Sequence, residues 1–216
     1  ELVLYSIPHR DLGHYSKGGH EDDMHYLNFI KDFTKGLEDF SPIVIFEPDA
    51  IPHIPKLDFE SGLRRITLIR KALSILSQSN AHIYLDIGHP EWLTPQQVKK
   101  YLSFYDLSNI RGVSINTSNY YTTEECIEFG DKINELVNLH YVIDTSRNGV
   151  GSLSKDDWCN PPNRAIGVFP TTRTSSEFCD AYLWIKVPGE SDGTLNGGPK
   201  AGRFFLKQAL SLIRNI

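Results

Sequence analysis

Short runs of consecutive apolar residues alternate along this chain with longer segments in which apolar residues recur every three or four positions. The first pattern suits strands buried on both faces, the second helices that bury one stripe. The runs Leu2–Ile7, Ile43–Glu47, His82–Ile87, Gly112–Asn116, Tyr141–Asp144 and Ala181–Lys186 predict six strands, with Ala165–Phe169 a weaker seventh. Between them, Tyr26, Leu27, Ile30, Phe33 and Leu37 line one helical face, and Leu63, Ile66, Ile69, Leu73 and Leu76 line a second. Thr94-Pro95 starts a third helix with a cap and a proline at the first helical position, and Thr122 with Glu125 forms a capping box for a fourth. A last helix is expected from about Gly202 to the end. Alternation of this kind predicts an α/β fold with a parallel sheet, because each helix must return the chain across the sheet before the next strand. The stretch from Thr145 to Thr174, rich in Asn, Gly, Ser and Pro, is long for an idle connection and reads as functional.

Nearly every apolar strand run ends in polar residues, and in a parallel sheet those ends share one edge. The first gives Pro8-His9-Arg10-Asp11, the second Glu47-Pro48-Asp49, the third Asp86 and His89. The fourth gives Asn116 to Asn119, the fifth Asp144 to Asn148, and the sixth Lys186 through Glu190 to Asp192-Gly193. A lone Asp at a strand end ordinarily caps a helix or turn. Six polar ends together predict a cleft at the carboxyl edge, where parallel α/β folds place their sites. Several carboxylates in one cleft suit general acid and base work, since neighbours separate in pKa, and glycoside hydrolysis needs little else.

Composition narrows the field. With 216 residues and 40% hydrophobic content, the chain supports one domain over 1–216, slightly short for an eight-stranded barrel. A net charge of −5 without a basic stretch argues against nucleic acid. No apolar run reaches the roughly 18 residues of a membrane span, and the N-terminus lacks a signal-peptide pattern, although removal of a leader fits the same observation. Cys126, Cys159 and Cys179 cannot all pair with one another. His9, His14, His20 and His25 surround Glu21, Asp22 and Asp23 at spacings that match no zinc or calcium pattern, so no metal and no cofactor is expected. No Gly-x-Ser-x-Gly elbow occurs. Trp92 and Trp158 lie among the polar ends, where indole faces suit sugar rings, whereas Trp184, inside a strand, reads as core.

Seven segments carry a resemblance. YSIPHRDLGHYSKGG (Tyr5–Gly19), IVIFEPDA (Ile43–Ala50), IYLDIGHPEW (Ile83–Trp92), SINTSNYYTT (Ser114–Thr123), VIDTSRNG (Val142–Gly149), WCNPPNRAIG (Trp158–Gly167) and AYLWIKVPGESDG (Ala181–Gly193) resemble glycoside hydrolase family 6 in order and spacing. The resemblance implies a distorted (β/α) barrel of fewer than eight parallel strands, lacking the first family strand. It also implies inverting hydrolysis of β-1,4-glucan, with cellulose or a cello-oligosaccharide as substrate. By the same resemblance Asp49 is the proton donor, and Asp11 holds a water chain and strengthens the hold of Asp49 on its proton. Asp192 and Asp11 share the role of base, Asp86 supports the site electrostatically, and Tyr5 crowds the sugar at the cleavage subsite. Trp92, His89, Asn116, Trp158, Arg164, Lys186 and Glu190 would bind glucosyl units.

The chain departs from the family pattern at several positions. Leu12 stands where the family usually has Cys, and Leu195 near the usual partner of Cys159, so the family disulfides are expected to be absent. Lys17 replaces a small residue beside the water chain. An extracellular location follows from the family, as a secreted protein or an extracellular domain of a membrane-bound one. A monomeric domain within a larger protein, such as one joined to a cellulose synthase, would account for the missing leader and cysteines, and trimming, excision from a larger protein or a pared-down barrel with an open seam would each account for the missing strand. Two other functions compete: a glucan-binding module that has lost turnover, and a phosphate-binding barrel. For the second, Glu190 and Asp192 would repel phosphate from Gly197-Gly198. The short connection Thr194–Ala201 and the compact Asp11–Asp22 segment predict an open cleft and internal cleavage.

Overall fold

The computed structural model describes residues 1–37, 39–152, 154 and 156–214. Six parallel strands form one sheet in chain order: β1 (Leu2–Leu4), β2 (Ile43–Phe46), β3 (His82–Asp86), β4 (Gly112–Ile115), β5 (His140–Asp144) and β6 (Cys179–Leu183). Among the described residues, five α-helices connect or follow them: α1 (Asp23–Gly36), α2 (Phe59–Leu76), α3 (Pro95–Leu102), α4 (Thr123–Val137) and α5 (Leu206–Arg214). Strand order equals chain order and β1 and β6 are the edges, so the sheet is a half-barrel with fewer than eight strands, as expected.

The alternation of strand side chains divides the interior. Val44, Phe46, Ile83, Leu85, Val113, Ile115, Tyr141 and Ile143 point outward and join Ile30, Ile69, Leu73, Val98, Phe129 and Ile133 of the helices in the main core. Ile45, Tyr84, Val142, Ala181, Leu183 and Ile185 form a smaller cluster on the inner face. Gly112 is needed there, because a Cβ would meet the His140 carbonyl oxygen at 2.2 Å and the Tyr84 ring at 3.0 Å. Below that cluster, Asp180 receives the Tyr84 hydroxyl (2.6 Å) and a two-pronged contact from Arg111 (2.8 and 2.5 Å), which pins β3, β4 and β6 together.

Helix starts follow their predicted caps. Thr94 and Gln97 complete one capping box with Pro95 in the first turn, and Thr122 and Glu125 complete another. Three expectations need correction. The segment Ala165–Phe169 is not a strand; its amides Ile166 and Gly167 donate to the carbonyls of Leu212 and Thr145, outside the sheet. The last helix starts at Leu206 rather than near Gly202, because Gly202 has φ +76° and residues 202–205 pair with Gly189 and Ser191. Its expected end, Asn215 and Ile216, lies outside the described residues. Trp184 is half-exposed at the sheet edge, where it packs on Phe169 (ring centroids 4.8 Å apart) and donates to the Val168 carbonyl.

Candidate active site

The carboxyl edge of the sheet holds most of the left-handed backbone in the protein. His9, Asp11 and Leu12 follow β1 at φ 48–55°, Glu47 and Asp49 follow β2 at 48° and 67°, and Asn116 and Ser118 follow β4 at 71° and 59°. None is glycine, so each is held in place by its surroundings, and such residues gather at functional sites.

One wall is built by β1, β2 and β3. The Tyr5 hydroxyl donates to Oδ2 of Asp49 (3.0 Å). Asp86 accepts from the Asp49 amide (3.0 Å), the Gly88 amide (3.1 Å) and the Ser114 hydroxyl (3.1 Å). Burial, and after it the Asp86 charge, pushes the Asp49 carboxyl up to about 7, with Asp11 adding to the effect and the Tyr5 hydrogen bond opposing it. Burial also raises Asp86, against its own donors. Of this linked pair, the shared proton rests on Asp49, because Asp86 has three donors that favour its anion and Asp49 has one.

Asp11 sits at the start of a short 3-10 turn, with Oδ2 bound to the Ser16 amide (2.7 Å). Arg10 fastens this loop to the wall: it donates to the Tyr5 carbonyl (2.5 Å) and the Ser16 carbonyl (2.7 Å) and lies 4.9 Å from the Tyr5 ring centre. Lys17 is exposed on the same loop.

The opposite wall belongs to β4, β5 and β6. Asp192 is gripped by Nη1 of the fully buried Arg147 (2.9 and 2.8 Å), by the Tyr120 hydroxyl (3.1 Å) and by the Asn160 amide (3.1 Å). Burial works against the Arg147 charge, and Asp192 and Tyr120 more than offset it, so the guanidinium stays ionised. Lys186 bridges Glu190 (3.5 Å) and Asp192 (3.8 Å). Trp158 is exposed nearby and packs on Tyr15 (5.7 Å between centroids).

Aromatic residues group beyond β3. Half-buried Trp92 meets His53 edge-on and His89 at a tilt, both at 5.2 Å, and the exposed Lys56 ammonium lies 5.3 Å from its ring centre. His89 also stacks on Tyr121 at 4.5 Å. Burial, then Lys56, lowers His89 to about 4 and His53 to about 3, which leaves both imidazoles neutral near pH 7.

Two of the expected sugar contacts are buried and bound to backbone carbonyls. Asn116 is completely buried and spends its amide on the backbone of Tyr121 and on the Asp144 carbonyl. Arg164 is also buried, donating to the carbonyls of Pro162 and Gly151, and so braces the loop that carries Trp158 and Asn160. Conversely, Arg147, Tyr120 and Asn160 hold Asp192 yet were not singled out by sequence; only the polar run Asp144–Asn148 hinted at the first. Cys126, Cys159 and Cys179 are all free and buried. Among the described residues, no group of three or more His, Cys, Asp or Glu could hold a metal ion.

The family model for glycosyl hydrolases family 6 matches residues 1–216. Endoglucanase A of Cellulomonas fimi is 38% identical over 215 residues, which cover 99% of this chain and 46% of that protein. The chain spans about half the length of the curated relatives it matches. Among solved structures, an endoglucanase from Mycobacterium tuberculosis, in complex with methyl-cellobiosyl-4-deoxy-4-thio-β-D-cellobioside, is similar at TM-score 0.95 and 43% identity, covering 99% of this chain and 75% of that one. An endoglucanase from Humicola insolens is similar at TM-score 0.85 and 27% identity, with coverage of 99% and 75%.

Proposed function

The chain belongs to glycosyl hydrolases family 6, and from that premise we propose that it hydrolyses β-1,4-glucosidic bonds of cellulose or a related β-glucan, inside the polymer and with inversion. The observation that carries this reading is the half-buried Asp49 carboxyl, which receives the Tyr5 hydroxyl at 3.0 Å and whose hold on its proton is strengthened, up to about 7, by loss of solvent and by the Asp86 charge. A glucan-binding surface does not require a stored proton; a general acid does.

In this reading Asp49 protonates the glycosidic oxygen while water attacks the opposite face of the sugar. The water's proton leaves toward Asp11 more readily than toward Asp192. Both Asp192 oxygens already carry donors, so accepting a proton would break its contacts with Arg147, Tyr120 or Asn160. On Asp11, Oδ1 carries no protein donor among the described residues. Asp192 then acts as a fixed anion that places Lys186, while Tyr5 crowds the reacting sugar. Trp92, Trp158, His89, Lys186 and Glu190 hold the flanking glucosyl units. Arg164 and Asn116 shape the loops behind them.

Internal cleavage is supported by the short connection after Gly193. It folds back through a 3-10 turn at Leu195–Gly197 and pairs with Ser191, which leaves little chain to roof the cleft. The matching relatives named endoglucanases support the same reading. One sheet with one main core supports a single catalytic domain. No helix among the described residues is long and apolar enough to cross a membrane.

One experiment tests mechanism and mode together. Proton NMR on a soluble cello-oligosaccharide during the first minutes should find the α-anomer, and carboxymethylcellulose should lose viscosity rapidly per reducing end released. A first-formed β-anomer, or no hydrolysis, overturns the reading. Cellobiose accumulating without viscosity loss overturns its internal mode.

A further inference from the structure

Glu47 takes no part in the chemistry described above, yet it is one of the most deeply buried charged side chains in the protein, at 1% exposure. It follows β2 directly, two residues before Asp49, and its own amide donates to the Leu4 carbonyl (2.7 Å). There β1 stops pairing through its backbone, and the Glu47 carboxylate takes over. Its Oε2 accepts the amides of Ser6 and Ile7, each at 3.0 Å, and its Oε1 faces the Ser6 amide and hydroxyl at 3.2 and 3.4 Å. Tyr5 is therefore held twice from one short stretch of chain: next to its backbone by Glu47, and at its hydroxyl by Asp49. The following residues are held from α2, where the buried Arg65 donates to the carbonyls of Pro8 (3.4 Å) and His9 (3.1 Å), just before Arg10 and Asp11.

We propose that Glu47, with Arg65, is a positioning residue for catalysis: the two form a bracket beneath the Tyr5–Asp11 segment that sets Tyr5 against Asp49 without touching the sugar. The proposal rests on the functional reading above. Its physical basis is that one carboxylate oxygen can receive two successive amides, whereas an apolar side chain would leave both buried and unpaired. Burial pushes Glu47 up to about 7, a cost that the Ile7 amide, the Tyr26 hydroxyl of α1 and the Ser6 amide and hydroxyl offset in part.

The test compares Glu47→Asp, which withdraws the carboxylate by one methylene, with Glu47→Gln, which keeps an acceptor in the Oε2 position. Melting of each variant is checked first. Glu47→Asp should lower kcat by about tenfold or more, the scale of a misplaced reacting group. Glu47→Gln should stay within about threefold of wild type, since its acceptor can still serve the amides. Affinity for cellotetraose, measured by calorimetry in an Asp49→Asn background, should change less than about twofold, because no sugar contact is removed. In a Tyr5→Phe background Glu47→Asp should cost little more, because both changes act through one hydroxyl. Equal losses in both backgrounds, or affinity falling in step with kcat, would overturn the proposal. Carbon-13 NMR titration of the Asp49 carboxyl reads the same placement without turnover. Glu47→Asp should raise it as Tyr5→Phe does, and an unchanged titration overturns the bracket even if the protein hydrolyses nothing. If Glu47→Asp does not fold, Arg65→Lys, with the kcat measurement and the same titration, decides in its place.

Discussion

Asp49 and Asp192 are carboxylates on opposite walls of one cleft, and their surroundings hold them in different ways. Asp49 has one donor, a second carboxyl beside it and no cation in contact, so the cheapest way to bury it is to leave its proton on. Asp192 has a buried guanidinium, a phenol and an amide in contact, so its carboxylate is matched by donors where it sits. A site with both holds a movable proton on one side and a fixed charge on the other. The difference teaches that the roles of two identical side chains are written by their neighbours.

The most damaging way to break this asymmetry is to remove the stored proton. Asp49→Asn keeps an acceptor for the Tyr5 hydroxyl but has no acidic proton, so hydrolysis of unactivated glucan should fall on the order of 10³-fold while oligosaccharide affinity holds. Reducing-sugar assays and calorimetry on the same preparation measure the two. A variant that keeps wild-type turnover removes Asp49 from the role.

Breaking the other wall should instead unsettle the fold. Arg147→Met leaves Asp192 buried without its guanidinium partner and with only the more distant Lys186 (3.8 Å) as counter-charge, a change that costs about 3 kcal/mol. For a chain of this size that lowers Tm on the order of 10 °C. Adding Asp192→Asn should recover much of the loss, since the stranded charge is gone. Thermal melts of the single and double variants decide it, and a double variant no more stable than the single would mean that Arg147 matters for its contacts to Ser118 and Tyr120 instead.

Much of this plan can be read along the chain. A strand buried on both faces must be written in apolar residues, so where Ile43–Phe46 gives way to Glu47-Pro48-Asp49 the change marks the edge of the sheet as well as candidate chemistry. Which polar residue faces sugar and which faces protein depends on partners far away in sequence. Asp192 meets Arg147 across 45 positions and Glu47 meets Ser6 across 41, distances at which no local pattern operates. The resemblance marks Asn116 and Arg164 as sugar contacts, and their chemistry alone does not decide it, because amide and guanidinium groups serve a backbone carbonyl and a sugar hydroxyl equally well. Trp184 read as core because it continues an apolar run, but β6 is an edge strand and offers less cover there.

The gentlest test leaves both walls standing and asks which charges Asp49 feels. As a general acid it must be protonated, so kcat should fall as pH rises through its value of about 7. Folding stability has the same sign: Asp49 and Asp86 are both raised above their unfolded values, so their contribution is full below the ordinary carboxylate range and lost as pH climbs through about 6 and then about 7. Asp86→Asn keeps an oxygen for the Asp49 and Gly88 amides but removes the neighbouring anion, so the alkaline limb of kcat should move toward acid by on the order of one pH unit. The double exchange of Arg147→Met and Asp192→Asn removes a pair of zero net charge, whose field fades quickly with distance. It should leave that limb where it was, even if the protein melts earlier. If the two variants shift the limb equally, Asp49 is tuned by the general polarity of the cleft rather than by Asp86, and the contrast between the walls is one of structure alone.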